Sequence, residues 1–424
     1  MRLFFSVGEP SGDVHGANLI RHLKRLNPRV QCVGYGGPRM AAAGADLHYD
    51  LTRLSVMWLF RVLAHLGAFW SLCVRADRYF HRRRPDAVIL IDYPGFNWWV
   101  AWRAKAHGIP VFYYGTPQIW AWATWRVRKM RKYVDHVICK LPFEVDWYRK
   151  RGVDAIFVGH PFYDEVVSHA LDEAFVLEQT SQPGPLVTIL PGSRTQEVTS
   201  NLKWFLKAAG TVRGQVPQVR FAIAAFNEKQ ADIARGHLSA SGYAASDVEV
   251  HVGHTPELMA AATCCMACSG SVSLELLYHT RPTVILYHVS RSAYQFQKLL
   301  RRVRFITLVN LLNAADPLKY DLRPYDPGEP DADRVLFPEY LTCEDKSAKI
   351  AGHLIEWLTN PERLQARIEG LARLKDRVAH PGASQRAAEY ILGHVPEKAI
   401  RFPRPHMMTN AEQARLESDS ARAG

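Results

Sequence analysis

The chain has 424 residues, 48% of them apolar, and a formal charge of +12 from 53 Lys and Arg against 41 Asp and Glu. That length favours two globular domains over one, with ample material for buried cores. No basic n-region precedes an apolar run at Met1, which argues against a secretory leader and for a cytoplasmic chain, and seven cysteines, whose one CxxC at Cys265–Cys268 has no second CxxC or His pair at zinc spacing, argue for a reduced compartment and against a metal site.

Strand-like runs at 2–7, 30–35, 87–91, 110–114, 134–138 and 155–158 alternate with helical patterns at 13–26, 38–43, 56–80, 96–107, 123–132 and 143–151. This alternation predicts a parallel, doubly wound sheet. Residues 164–185 read as a linker ending in Pro183-Gly184-Pro185. The alternation then resumes, with strands at 186–190, 219–224, 248–251, 264–268 and 283–287 and helices at 196–213, 228–240, 255–261, 271–279 and 292–301. A Pro-, Asp- and Gly-rich stretch at 314–335 reads as an exposed inserted loop, 344–394 as helices, and 395–424 as a disordered tail.

The loops after the strands carry the chemistry. The apolar run Leu186-Val187-Thr188-Ile189-Leu190 ends in Pro191-Gly192-Ser193-Arg194 and then opens a helix. Such a turn aims free backbone N–H groups at an anion, and Arg194 adds a forked cation suited to a diphosphate. A matching element opens the chain, where the first strand runs into Gly8-Glu9-Pro10-Ser11-Gly12-Asp13. Asp92 closes the strand 87–91 and lies at a carboxyl edge, where open α/β sheets bind ligands. Two strand–loop–helix openings about 180 residues apart predict two α/β domains facing one cleft, a plan used by many nucleotide-sugar enzymes.

The positive balance favours acidic partners, and basic clusters at Arg82-Arg83-Arg84, Arg126–Lys132 and Arg301–Arg304 localise it. No nucleic-acid-binding signature accompanies them, so nucleic acid is not an expected partner. The segment 56–74 is strongly apolar but is interrupted by Arg61 and His65, which makes a poor membrane span. It is read either as a buried helix or as a face that presents Trp58, Phe60, Phe69 and Trp70 to a bilayer surface or an acyl chain; the basic clusters favour the second reading.

Taken in order, GEPSGDVHGANLI at 8–20, GYGGPRM at 34–40, LSVM at 54–57, IDYPGFN at 91–97, TPQIWAW at 116–122, LPFE at 141–144, GHP at 159–161, LPGSR at 190–194, SGSVSLE at 269–275 and LVNLL at 308–312 resemble the lipid-A-disaccharide synthase family. These are inverting glycosyltransferases of the GT-B type. The resemblance implies an α/β fold of two Rossmann-like domains with parallel sheets facing a central cleft. Residues 1–163 would form the acceptor and membrane-side domain, and 186–343 the UDP-sugar domain. It implies transfer of 2,3-diacylglucosamine from UDP-2,3-diacylglucosamine to 2,3-diacylglucosamine 1-phosphate with inversion and release of UDP. Such an enzyme would work without cofactor or metal, peripherally on an anionic membrane surface at the cytoplasmic face of the inner membrane; a homodimer is compatible. The alternatives are another UDP-sugar GT-B enzyme or a non-catalytic relative that binds lipid or UDP-sugar.

On this resemblance Asp92 is the expected general base, with Glu9 as second candidate. Gly192, Ser193, Arg194, Ser269, Gly270, Ser271, Ser273, Glu275 and Asn310 would bind UDP or its diphosphate, Glu275 by holding the ribose. Gly8, Ser11, Gly12, Asp13, Gln118 and Trp120 would face the acceptor. Each has a plain reading beside it: Asp92 can cap its turn, Ser271, Ser273 and Glu275 can cap a helix, and Trp120 can be core. His15 and His160 read as structural histidines. The chain departs from the family pattern at Gly95, usually Asp, and at Val309, usually Pro.

Overall fold

The computed structural model describes residues 1–54, 66–243 and 247–395. Trp58, Phe60 and the tail 396–424 lie outside the described residues. The first sheet holds β1 (Arg2–Val7), β2 (Gln31–Gly36), β3 (Asp46–Asp50), β4 (Ala87–Ile91), β5 (Val111–Tyr114), β6 (His136–Cys139) and β7 (Ala155–Phe157). They are all parallel, in the order β3-β2-β1-β4-β5-β6-β7. The second sheet holds β8 (Leu186–Leu190), β9 (Arg220–Ala225), β10 (Glu249–Val252), β11 (Cys264–Cys268), β12 (Thr283–His288) and β13 (Glu339–Thr342), parallel in the order β10-β9-β8-β11-β12-β13.

Both sheets are covered by helices on both faces, so their central strands are continuously apolar: β4 and β11 are buried at every residue. The three cysteines of β11 are part of this core. In each sheet the chain runs outward from the first strand, then returns to start on its other side. The strand order therefore reverses between β1 and β4, and again between β8 and β11. A crevice opens at the carboxyl ends of the strands at such a switch point.

The structure differs from the sequence reading in three places. The edge strands β3 and β13 were not expected. Residues 164–185 are not a bare linker: helix Phe162–Ser168 runs into it, and helix Glu173–Ser181 follows, capped where the Asp172 carboxylate accepts the Phe175 N–H (3.1 Å). The stretch 314–335 has little regular structure, but it is anchored rather than exposed throughout. Tyr325, Ala332 and Val335 are buried in the second domain, and Arg304 holds Glu329 (3.0 Å) and Asp331 (2.5 Å).

The C-terminal helices lie where the sequence reading put them, and their packing divides between the two domains. Helix Ser347–Thr359 packs on the second domain, its Ile350, Leu354 and Trp357 entering that core. Helix Pro361–Val378 packs against helix Val272–Tyr278. Helix Ala383–His394 instead returns to the first domain, where Ala387, Ala388 and Ile391 join Leu3, Phe5 and Val7 in one core. Its N-terminus is held by Asp164, whose carboxylate accepts the N–H groups of Gly382, Ala383 and Ser384. An acidic cap at that position also meets the positive end of the helix dipole.

Candidate active site

The first crevice is built around an unusual strand end. Asp92 and Tyr93, directly after β4, both have left-handed backbones (φ 44° and 45°), which non-glycine residues adopt only under constraint. Three buried groups supply that constraint. The Asp92 carbonyl accepts the Tyr113 hydroxyl (2.6 Å) and the Asn97 side-chain amide (2.8 Å). Asn97 in turn accepts the Ser6 hydroxyl (2.7 Å), which ties the turn to β1. Pro94 then starts helix Pro94–Ala106. The Tyr93 ring lies against Gly8, where a Cβ would collide with it; glycine is required there so that the two switch-point loops can meet.

The turn leaves the Asp92 carboxylate in the crevice beside Lys140, the residue directly after β6. Their contact is 3.1 Å, with the side chains 17% and 11% exposed. Burial disfavours the charged Lys140, but Asp92, Glu144 and Glu9 outweigh it and hold its pKa above the usual value. Glu9 belongs to the same set: burial and Asp92 raise its pKa against the opposing pull of Lys140 and Arg194. Among the described residues no side chain hydrogen-bonds the other Asp92 oxygen. Beneath Lys140, the buried Glu144 accepts the backbone N–H groups of Lys140 (3.2 Å) and Leu141 (3.0 Å) and the Trp120 indole N–H (2.9 Å). His15 and His160 are buried nearby with their rings edge to face, and burial drives both pKa values down, that of His15 to about 4. Both are therefore neutral at pH 7.

The second crevice carries the anion cradle. Gly192 has φ +124°, and a Cβ there would collide with Glu197. Glu197, in the first turn of helix Thr195–Gln215, accepts the N–H groups of Ser193 and Arg194 (both 3.2 Å) and pairs with the Arg194 guanidinium (2.7 Å). The loop thus shows its affinity for carboxylate oxygens directly. Ser269, Gly270 and Ser271 follow β11 on the other side of the switch point. Glu275 sits one turn into helix Val272–Tyr278, where burial, with Glu165 and Glu257, pushes its pKa up to about 7.

The two crevices face one another. Gln118, Trp120 and Trp122 of the first domain share a cavity of about 510 Å³ with Arg194, Glu197 and Ser269 of the second. The Arg194 charge also reaches Glu9 across the cleft.

Several expected residues are engaged elsewhere. Asp13 does not face the cleft: it is buried and accepts the N–H groups of Gly37 (2.9 Å), Arg39 (3.0 Å) and Met40 (3.1 Å), capping helix Pro38–Ala42. Gly12 is buried with Asp92 close by, whereas Ser11 is exposed. Asn310 is also buried, and its amide exchanges bonds with Phe337 (2.7 and 3.0 Å) and donates to Glu339 (2.9 Å). That fully used amide joins helix Leu308–Asn313 to β13 and leaves no donor for a sugar. Ser273 donates to the Gly270 carbonyl (2.8 Å) inside its own turn. Phe69 packs on Tyr93 and Phe96 rather than facing outward, while Trp70 is 60% exposed. Sequence reasoning missed Lys140, Glu144 and Glu197. The available signal for Lys140 was its place directly after a strand, the same signal that singled out Asp92. The only Asp-x-Asp triplet, Asp331-Ala332-Asp333, gives Asp331 to Arg304.

Paired doubly wound sheets whose switch points share one cleft, with an anion cradle on one side and a carboxylate on the other, are the plan of GT-B glycosyltransferases. Solved structures of this fold include a UDP-GlcNAc 2-epimerase from Neisseria meningitidis bound to UDP-GlcNAc (TM-score 0.60, 12% identity, 93% of this chain and 100% of that one). Another is Acinetobacter baumannii MurG (TM-score 0.52, 13% identity, 92% and 99%). At such identities the likeness is one of fold. A family model described as lipid-A-disaccharide synthetase matches residues 3–319. The lipid-A-disaccharide synthase of Geobacter metallireducens is 35% identical over 92% of this chain and 96% of its own length, and that of Myxococcus xanthus 33% identical over 93% and 98%. The chain belongs to the lipid-A-disaccharide synthase family and is a glycosyltransferase.

Replacing Lys140 with Met leaves Asp92 and Glu9 in one crevice without their cation. In the wild type the pair's contribution is present at neutral pH and is lost as pH rises through the elevated Lys140 pKa. At pH 7.5 the variant is expected to lose roughly 3 kcal/mol of stability, and less toward pH 5 as Glu9 takes up a proton. Urea denaturation at the two pH values checks this; wild-type stability at pH 7.5 would show the pair to be dispensable.

Proposed function

We propose that this chain moves 2,3-diacylglucosamine from a UDP carrier to the 6-hydroxyl of 2,3-diacylglucosamine 1-phosphate, with inversion. The observation that carries this reading is the Asp92 carboxylate, turned by a strained strand end toward Lys140 and Glu9, the latter also feeling the Arg194 charge of the second crevice. Asp92 takes the proton of the acceptor hydroxyl as its oxygen attacks the donor's anomeric carbon. The bond from that carbon to the diphosphate breaks on the opposite face, and UDP leaves with the electron pair. Arg194 and the Ser193 and Arg194 N–H groups, which exchange the Glu197 carboxylate for diphosphate oxygens, stabilise the developing charge. Lys140 holds the Asp92 carboxylate in place from 3.1 Å, and Glu275 receives the ribose hydroxyls.

The deciding assay is disaccharide formation from UDP-2,3-diacylglucosamine and 2,3-diacylglucosamine 1-phosphate in detergent. Asp92→Asn is expected to lower kcat by at least a hundredfold while UDP affinity stays within about twofold of wild type. A fully active variant would remove Asp92 as base. Absence of product from wild-type protein that binds UDP would favour a non-catalytic or differently supplied relative.

Glu275 supplies an independent check. Hydrogen bonds from ribose favour its ionised form, and its pKa of about 7 means that form is scarce at pH 6. UDP should therefore bind about tenfold more tightly at pH 8 than at pH 6. Glu275→Gln should flatten that slope, and an unchanged slope in the variant would assign the titration to another group.

No helix among the described residues is long and apolar enough to cross a membrane. We propose peripheral contact with an anionic bilayer at the cytoplasmic face of the inner membrane. It would run through Trp70 and a patch on helix Pro94–Ala106 and residues 122–126. There Trp99, Trp102, Trp122 and Trp125 are 38–56% exposed, with Arg103 over Trp102 (4.2 Å) and Arg126 over Trp122 (4.6 Å). Trp99→Ser with Trp125→Ser should at least halve co-sedimentation with phosphatidylglycerol vesicles; undiminished binding would place the contact elsewhere.

A further inference from the structure

Helix Arg291–Leu300 is poorly covered for its sequence. Ala293, Phe296 and Leu300 recur at helical spacing, the pattern of a face that packs against something. None of its ten residues is buried, and Phe296 and Leu299 are 63% and 77% exposed. Two large aliphatic or aromatic side chains this open on one short helix call for a partner.

The surroundings say what that partner is. Phe296 and Leu300 border the interdomain cavity of about 510 Å³, together with Phe305, Trp122 of the first domain, and Arg194 and Ser269 of the cradle. One cavity thus combines hydrocarbon walls with the Arg194 guanidinium, a cation suited to phosphate. Its volume is that of a small-molecule site. A ligand that fills both parts is an amphiphile with an anionic head and a hydrocarbon chain.

We propose that this groove seats an acyl chain of the nucleotide-sugar donor, with Phe296 and Leu300 as residues that select for acylation. The inference rests on the reading of the donor as UDP-2,3-diacylglucosamine. The chain's occupancy of the groove would cover the apolar face that the free protein leaves open. It would also make donor affinity depend on a helix that touches neither the base nor the diphosphate.

The test compares UDP with UDP-2,3-diacylglucosamine on wild type and on Phe296→Gln/Leu300→Gln. Both positions lie on a helix without buried residues, so the variant should fold; circular dichroism and a wild-type UDP Kd would verify that. Wild type should bind the acylated donor at least tenfold more tightly than UDP, and the variant should lose tenfold or more of that advantage. Equal donor affinity in variant and wild type overturns the proposal. So does a loss of vesicle binding at unchanged donor affinity, which would assign the helix to the membrane. The acyl preference without disaccharide formation would instead reject the synthase reading and leave the seat standing.

Discussion

The first domain depends on a single backbone constraint: β4 has to end in two consecutive left-handed residues. An ordinary strand end would carry Asp92 onward into the following helix. The left-handed pair turns its carboxylate into the crevice, beside Lys140 and near Glu9. The strain is offset by hydrogen bonds that are themselves buried, from Tyr113 on β5 and from Asn97, which is bound to Ser6 on β1. Adjacent strands of one sheet thus share the work of holding one side chain. The requirement also explains Gly8, because the displaced Tyr93 ring needs the space that a Cβ would fill.

The second domain solves the complementary problem without strain of that kind in its anion loop. Its cradle is formed by peptide N–H groups, whose direction follows from the helix they begin. Glu197 occupies them and is held at the same time by Arg194. The free cradle is therefore neither unsatisfied nor collapsed, since a carboxylate one turn down the helix keeps its shape. The two halves of the cleft differ in character accordingly. One is an electrostatic set of side chains whose protonation states depend on one another. The other is a backbone site whose charge comes from its geometry and a single arginine.

Much of the fold was legible because buried parallel strands are unbroken apolar runs, as in Ala87–Ile91 and Cys264–Cys268. The two missed strands are edges. Asp-Leu-His-Tyr-Asp and Glu-Tyr-Leu-Thr carry polar residues that a one-sided strand tolerates, and nothing in their periodicity marks them. At the site, residues placed by topology could be read from sequence, because strand ends at a switch point must border the crevice. Asp92, Glu9 and the Pro191–Arg194 loop are of this kind. Residues whose role depends on a distant partner could not be read so easily. Lys140 meets Asp92 across 48 positions and Asn310 meets Phe337 across 27. Membership of a motif located Asp13 and Asn310 near the right elements, but it could not say which way their side chains turn.

Helix Ala383–His394 sets the order in which the molecule can be completed. It supplies core residues to the first domain, and Asp164 holds its beginning, yet it is the last described helix of the chain. A growing polypeptide makes all seven strands of the first sheet before residue 160. The apolar surface along Leu3, Phe5 and Val7 must then wait, without its final cover, for more than two hundred further residues. The second domain can close on itself during that interval, since its own strands and Ser347–Thr359 precede the return. The N-terminal domain is therefore begun first and finished last, against the usual sequence in which domains mature as they emerge.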